Sequence, residues 1–383
     1  MKNISPPVFY YHSVAPEPIE QWVLHFLTLR LQNFEHQMAY LKRNNYKALF
    51  MDEWLAIRRG IKSSDGSELC LTFDDGLLDN WVYAYPVAKK YGMRFTLFVS
   101  PECIEPNAVV RPNLEDVWSG KCSESDLEGL GYLSWEELKL MQESGVVDVQ
   151  SHTMTHAKYV VSEKIKGFYY GGFKGLHPIL NAHPEIRATY MKDAAFEQRL
   201  SFGTPLFEEQ SAVIAKKHRI NPDFFSEAAD IAAAYDLSGT ADRPVYEVAV
   251  RHLADRFVHA GNLHLEIESD QAFRDRLRYE VVHSKKTIEE HLGKPVHFLC
   301  WPHGDNTMAA HVLAKESGYH ATTSGKMTKE AVQQDRIPRI GADFNQQGWL
   351  SRLKLHYKIA SHYRRQPYRS LFALNEFKNK ILN

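Results

Sequence analysis

Three short, nearly unbroken apolar runs, ELCLTF (68–73), RFTLFVS (94–100) and VVDVQ (146–150), are separated by stretches with helical spacing. A strand that is apolar on both faces needs cover on both sides, which parallel sheets flanked by helices provide. The helical segment NWVYAYPVAKKYG follows the first run and ends at Gly92. LSWEELKLMQESG leads into the third, opening on Ser134 with Glu137 three residues on, a capping-box pair. Strand, helix, strand, helix, strand predicts an α/β fold with a parallel sheet. In such sheets, chemistry collects beyond the carboxyl ends of the strands.

The same pattern extends to both sides. PPVFYYHSV reads as a strand ending at His12, and LQNFEHQMAYLKRNNYKALF as a helix closed by a turn at Asn44-Asn45. The pattern breaks over residues 160–268, which read as a long insertion rather than a separate domain. Within it, residues 207–235 (FEEQSAVIAKKHRINPDFFSEAADIAAAY) look helical with a proline interruption. The pattern resumes with the helix DQAFRDRLRYEVVHSKKTIEEHLG, the strand VHFLCW and the turn PHGDN. The domain reading is one unit over 1–348, insertion included, followed by a basic, aromatic extension over 349–383. That extension carries Arg352, Lys354, Lys358, Arg364 and Arg365 among Trp349, Tyr357, Tyr363 and Tyr368. It is expected either to lie on an anionic membrane surface or to pack back on the domain as a solvated helix.

A net charge of -1 over 383 residues argues against a nucleic-acid partner. Four scattered cysteines without CxxC spacing exclude a cysteine zinc cage and a disulfide framework. No run approaches the ~20 apolar residues of a membrane span, and the N-terminus has no signal-peptide pattern, so the expected location is cytoplasmic.

Two positions just past predicted strands carry the chemistry. Asp74 and Asp75 follow ELCLTF, and His152 and His156 follow VVDVQ. Adjacent carboxylates repel unless something compensates them. Two imidazoles and one carboxylate form the three-ligand set of a catalytic zinc site, with the other carboxylate left ionised beside the ion. The His-x-x-x-His spacing suits one side of a helical turn or a tight loop.

TFDDG followed by SHTMTH resembles the first two motifs of the polysaccharide deacetylases, carbohydrate esterase family 4. The resemblance spans Pro7 to about Ser100, Leu133 to Tyr159 and Asp270 to Ile340. It implies a distorted (β/α) barrel, seven-stranded, that removes N-acetyl groups from sugars. It further implies Asp74 as general base, and Asp75, His152 and His156 as ligands of a divalent metal, Zn2+. CWPHG stands where the family has an aromatic-Pro-Tyr-Gly motif, so His303 replaces the Tyr whose backbone N–H holds the oxyanion. Trp301 and Pro302 beside it are candidate substrate contacts. No Leu-x-x-His motif stands where the family keeps its acid; LKLHYK around His356 lies in the tail. FYYHSV instead resembles the permuted poly-N-acetylglucosamine deacetylases, whose acid lies on the first strand, which makes His12 the general acid. RIPRI resembles the last core strand of that subgroup and offers Arg339 to orient Asp74 or line the cleft, the alternative being a surface ion pair.

The expected activity is metal-dependent N-deacetylation of an amino-sugar glycan, or of a lipid-linked glycan intermediate in surface-polysaccharide assembly, with peripheral membrane contact through the tail. The alternatives are hydrolysis of small cyclic imides or ureides, and an inactive glycan-binding member.

Overall fold

The computed structural model describes residues 4–19, 25–172, 176–192, 195–342, 345, 348–368 and 370. Eight short strands form one parallel ladder: β1 (Val8–Tyr11), β2 (Glu68–Phe73), β3 (Phe95–Val99), β4 (Val147–Ser151), β5 (Phe298–Leu299), β6 (Ala321–Thr323), β7 (Arg336–Ile337) and β8 (Ile340–Gly341). Their spatial order is β7-β6-β5-β4-β3-β2-β1-β8, with Lys47–Ala48 pairing on the side of β2. The two ends of the ladder, β7 and β8, are separated in the chain by only Pro338 and Arg339. Counted as one interrupted strand, they bring the edges together into a distorted barrel with seven strand positions, as expected.

Strand periodicity divides the barrel wall into two faces. Leu69, Leu71 and Phe73 of β2 pack with Phe95, Leu97 and Val99 of β3 in the large cluster that also takes in the helices. Cys70, Val8, Phe98, Phe298, Cys300, Ala321 and Ile337 form a smaller cluster on the other face. The helix Met51–Arg58 adds Met51, Trp54 and Leu55 to this second cluster, and the Trp54 indole N–H donates to the Pro6 carbonyl (2.8 Å), just before β1 begins. Apolar packing therefore closes the end where the strands start. Between β4 and β5 the ladder has one register pair; there the buried Gln150 side-chain oxygen accepts from both His297 and Phe298 backbone N–H groups (2.8 Å each).

The expected punctuation is present. Asn45, Gly92 and Gly293 each take a left-handed conformation at a helix exit. Ser134 and Glu137 bond reciprocally (3.2 and 2.9 Å), and buried Glu137 also pairs with Arg111.

The insertion departs from its sequence reading. Pro205–Ser211 is a strand, antiparallel to Lys158–Phe168, where helix was expected, and His218–Ile220 pairs with His264–Ile267. The proline begins a helix rather than interrupting one: Asn221 caps Pro222–Ala232 by accepting from the Asp223 N–H. Ile165, Phe168 and Phe207 of the paired strands pack against Phe224 of helix Pro222–Ala232 and Val250 and Phe257 of helix Arg243–His259, a cluster separate from the barrel's.

In the C-terminal extension, helix Gly348–His362 lies on helix Leu31–Arg43, burying Leu355, Ile359 and Ala360. Gln37 donates to Ser351 (2.9 Å) across this contact, and His356 bonds Tyr40 there, away from the catalytic cleft. Arg352 and Lys354 are exposed. Arg369 and residues 371–383 of the proposed tail lie outside the described residues.

Candidate active site

The face of β2 that presents Cys70 and Thr72 continues to Asp74, and that of β1 continues to His12. The same alternation brings His152 past β4 and Arg339 between β7 and β8. All four line one cleft of about 740 Å³ beyond the carboxyl ends of the strands, with Asp75, His156, Trp301 and His303. Residues far apart in the chain thus converge because each sits one or two positions past a parallel strand.

Asp75 Oδ1 lies 3.3 Å from His152 Nε2 and 3.2 Å from His156 Nε2. Ligand atoms placed tetrahedrally at zinc bond lengths are about 3.3–3.6 Å apart, so the three atoms nearly match the edges of one coordination polyhedron. The His152 Nδ1 donates to the Cys300 carbonyl (2.9 Å), which fixes the tautomer and turns a lone pair on Nε2 toward Asp75. Acceptors converging in this way fit a divalent cation. Asp74, His152 and Cys300 form a second grouping of donor atoms, but both Asp74 oxygens are already held by Arg339, which makes it the poorer ligand set.

The Arg339 guanidinium donates to both Asp74 oxygens (2.6 and 2.8 Å), one of the two roles the sequence offered for it, and its head lies 4.9 Å from the Tyr10 ring centre. Burial pushes the Asp74 pKa up, but Arg339 and His152 outweigh it and hold the carboxyl below its usual range. At Asp75 burial again pushes upward, while His156 and His152 hold the group well below that range. Both carboxylates are therefore ionised together, Asp74 against a fixed guanidinium and Asp75 against two imidazoles.

His12 Nε2 stands 4.0 Å from Asp74 Oδ2, and its buried Nδ1 has no hydrogen-bond partner among the described residues. The His303 ring meets His156 edge-on (4.6 Å between centres), and His303 itself has φ 57° in a tight turn. Trp301 is fully buried and lines the cleft with its indole N–H unpartnered among the described residues, whereas Pro302 is buried outside the lining. Asp75, Thr153 and His156 also have positive φ. Left-handed non-glycine residues cost of order 1 kcal/mol or more each, and their clustering here is the pattern of a site whose geometry surrounding contacts impose.

Three positioning residues escaped the sequence reading. Glu280 accepts from the Met154 and Thr155 N–H groups (3.0 Å each) and from the Thr155 hydroxyl, fixing the loop between the two histidines. Its signal was a carboxylate beside the apolar stripe of Leu277, Val281 and Ile288. Asn80 donates to the His12 carbonyl (2.8 Å), and Tyr10 stacks on Arg339. Lys158, just before the insertion, and Leu180, Arg187 and Tyr190 within it also line the cleft.

Residues 62–170 match the family described as polysaccharide deacetylase. YxkH of Bacillus subtilis (strain 168), a polysaccharide deacetylase by name, is 28% identical over 150 residues, 39% of this chain and 43% of the relative; the chain thus spans less than half of that relative's length. Among solved structures, a de-N-acetylase from Aggregatibacter actinomycetemcomitans (16% identity, TM-score 0.47) covers 83% of this chain and 86% of its own. The BpsB deacetylase domain from Bordetella bronchiseptica (14%, TM-score 0.48) covers 89% and 96%. IcaB from Ammonifex degensii (16%, TM-score 0.45) covers 88% and 87%. The matched segment, residues 62–170, is similar to the polysaccharide deacetylase family and contains both the aspartate pair and the histidine pair that the fold brings together.

Proposed function

We propose that this protein is a metal-dependent N-deacetylase of amino-sugar glycans. The observation that carries the reading is the convergence of Asp75, His152 and His156 beside an Asp74 that Arg339 fixes as an anion. Asp75, His152 and His156 would hold a divalent ion, Zn2+ by the chemistry of the donor set, which would supply Lewis acidity for the amide carbonyl and the attacking water. Asp74 takes the proton of that water, with Arg339 aiming its oxygens. The backbone N–H of His303 stabilises the developing oxyanion, a type of donor whose loss costs about 3 kcal/mol. His12 delivers a proton to the departing nitrogen, a general-acid role that imidazoles commonly fill.

A cleft walled on one side by the insertion, with Tyr190, Arg187 and Lys158 facing it, favours an extended sugar chain over a small cyclic amide. The substrate we propose is a glycan or lipid-linked glycan of surface-polysaccharide assembly, reached from the cytoplasmic side. Among the described residues no helix is long and apolar enough to cross a membrane, so contact with the bilayer would be peripheral, through the exposed Trp349, Arg352, Leu353 and Lys354. Acetate release from N-acetylglucosamine oligomers and from extracted lipid-linked glycans tests the activity. Release that needs added zinc is expected; turnover of imides or ureides without any acetate release would replace this reading with the small-amide one. Sedimentation with anionic vesicles tests the contact, and no binding at physiological salt would remove it.

A further inference from the structure

The opposite end of the barrel carries a second group of metal-type ligands. His297 and His320 immediately precede β5 and β6, neighbouring parallel strands with Phe298 opposite Ala321. The two histidines therefore stand side by side. The His320 N–H donates to the His297 carbonyl (2.6 Å), and the rings stack with centres 3.9 Å apart and planes 20° from parallel. Asp52, in the first turn of helix Met51–Arg58, reaches across to both. One of its oxygens is 3.3 Å from His297 Nδ1 and the other 3.6 Å from His320 Nδ1.

These separations fall within the about 3.3–3.6 Å expected between neighbouring ligands of tetrahedral zinc. The three side chains are partly or fully exposed, so the rings can turn about their soft Cβ–Cγ torsions until both Nδ1 lone pairs meet one point. None of the three residues belongs to the catalytic cleft, because they lie where the strands begin and Asp74 and His152 lie where strands end.

We infer that Asp52, His297 and His320 form a second divalent transition-metal site, selective for borderline ions such as Zn2+, with its remaining coordination positions open to water. Bound there, the ion ties helix Met51–Arg58 to two strands of the barrel.

The test is zinc stoichiometry of untagged, chelator-stripped protein after equilibrium dialysis against Zn2+ alone, with thermal unfolding as a second readout. Wild type should bind two ions per chain. His297→Ala/His320→Ala should bind one and keep wild-type turnover, and Asp75→Ala should also bind one. Zinc should raise the unfolding temperature of Asp75→Ala but not that of Asp75→Ala/His297→Ala/His320→Ala, which should bind none. Asp75→Ala that binds no zinc, or a double histidine variant that binds as much as wild type, overturns the site. So does retention of an ion by the triple variant. All the substituted histidines are at least partly exposed, so the double variant is expected to fold; should it not, His320→Asn serves in its place, with the same outcomes read.

Discussion

At the residue scale, Asp74 and Asp75 coexist because each faces its own partners. Asp74 meets a bidentate guanidinium and Asp75 meets two imidazoles set to hold a cation. Removing the guanidinium should therefore damage catalysis without removing the metal. Arg339→Ala is expected to lower kcat by about 10²-fold or more while leaving zinc content unchanged, since a misaimed base loses much of its effect. Kinetics with metal analysis on the same sample checks this, and loss of zinc would place Arg339 in support of the ligands instead. Asp79, five residues past Asp74, makes a separate prediction. Burial pushes its pKa up to about 8, against hydrogen bonds from Ser13, the Val14 N–H and Asn80. The unfolded value is near ~3.9, so the folded state favours the neutral acid. That contribution is complete below about pH 4 and is lost as pH rises through about 8, at up to about 1.4 kcal/mol per pH unit. Asp79→Asn, which stays neutral, should gain on wild type in urea-midpoint comparisons as pH rises from 5 to about 8; a pH-independent difference would contradict the assignment. The grouping of the proposed ligands was legible because each pair is local in sequence, two adjacent carboxylates and two histidines one turn apart. The Glu280 support and the Cys300 carbonyl were not, since each reaches a partner more than a hundred residues away through the sheet.

At the element scale, what could be read depended on how strongly each segment's pattern departed from its alternatives. β2 and β3 are buried along their whole length, and such runs flanked by helices leave little choice but a parallel sheet. In the insertion, Leu206 and Phe207 are buried beside half-exposed Glu208 and Glu209, too short a stretch to tell strand from helix by period; cross-strand pairing with Lys158–Phe168 decides it. The C-terminal helix shows the opposite case. Its basic, aromatic sequence left open a membrane surface or packing on the domain, and Leu355 and Ile359 are fully buried against helix Leu31–Arg43. Leu355→Ala should cost about 2–5 kcal/mol by chemical denaturation, the range of a buried leucine truncation. A cost under about 0.5 kcal/mol, typical of surface positions, would mean that the helix does not pack there.

At the scale of the whole molecule, the barrel divides its work between its two ends. Apolar residues of helix Met51–Arg58 seal the end where strands begin, and the carboxyl ends hold ionised side chains over that packed base. The insertion, with an apolar cluster of its own, rises from the loop after His156 and walls the cleft. The barrel itself could be anticipated from the order of elements; the insertion's contribution could not, because Arg187 and Tyr190 come from short turns with no periodic pattern. Tyr190→Ala is expected to raise KM for long oligomers by about tenfold, near 1.4 kcal/mol, with a smaller effect on a monosaccharide substrate. An equal effect on both would place Tyr190 in support of the scaffold.

In the proposed mechanism the two neighbouring carboxylates divide the chemistry, Asp75 holding the metal and Asp74 moving the proton. The most direct test is zinc content and acetate release measured together on Asp74→Asn and Asp75→Ala. The account predicts that Asp74→Asn keeps the wild-type content of zinc at the catalytic ligands and releases no acetate, while Asp75→Ala loses both that zinc and the activity. An Asp74→Asn enzyme that turns over at the wild-type rate, or an Asp75→Ala protein that retains its full zinc content, would contradict it.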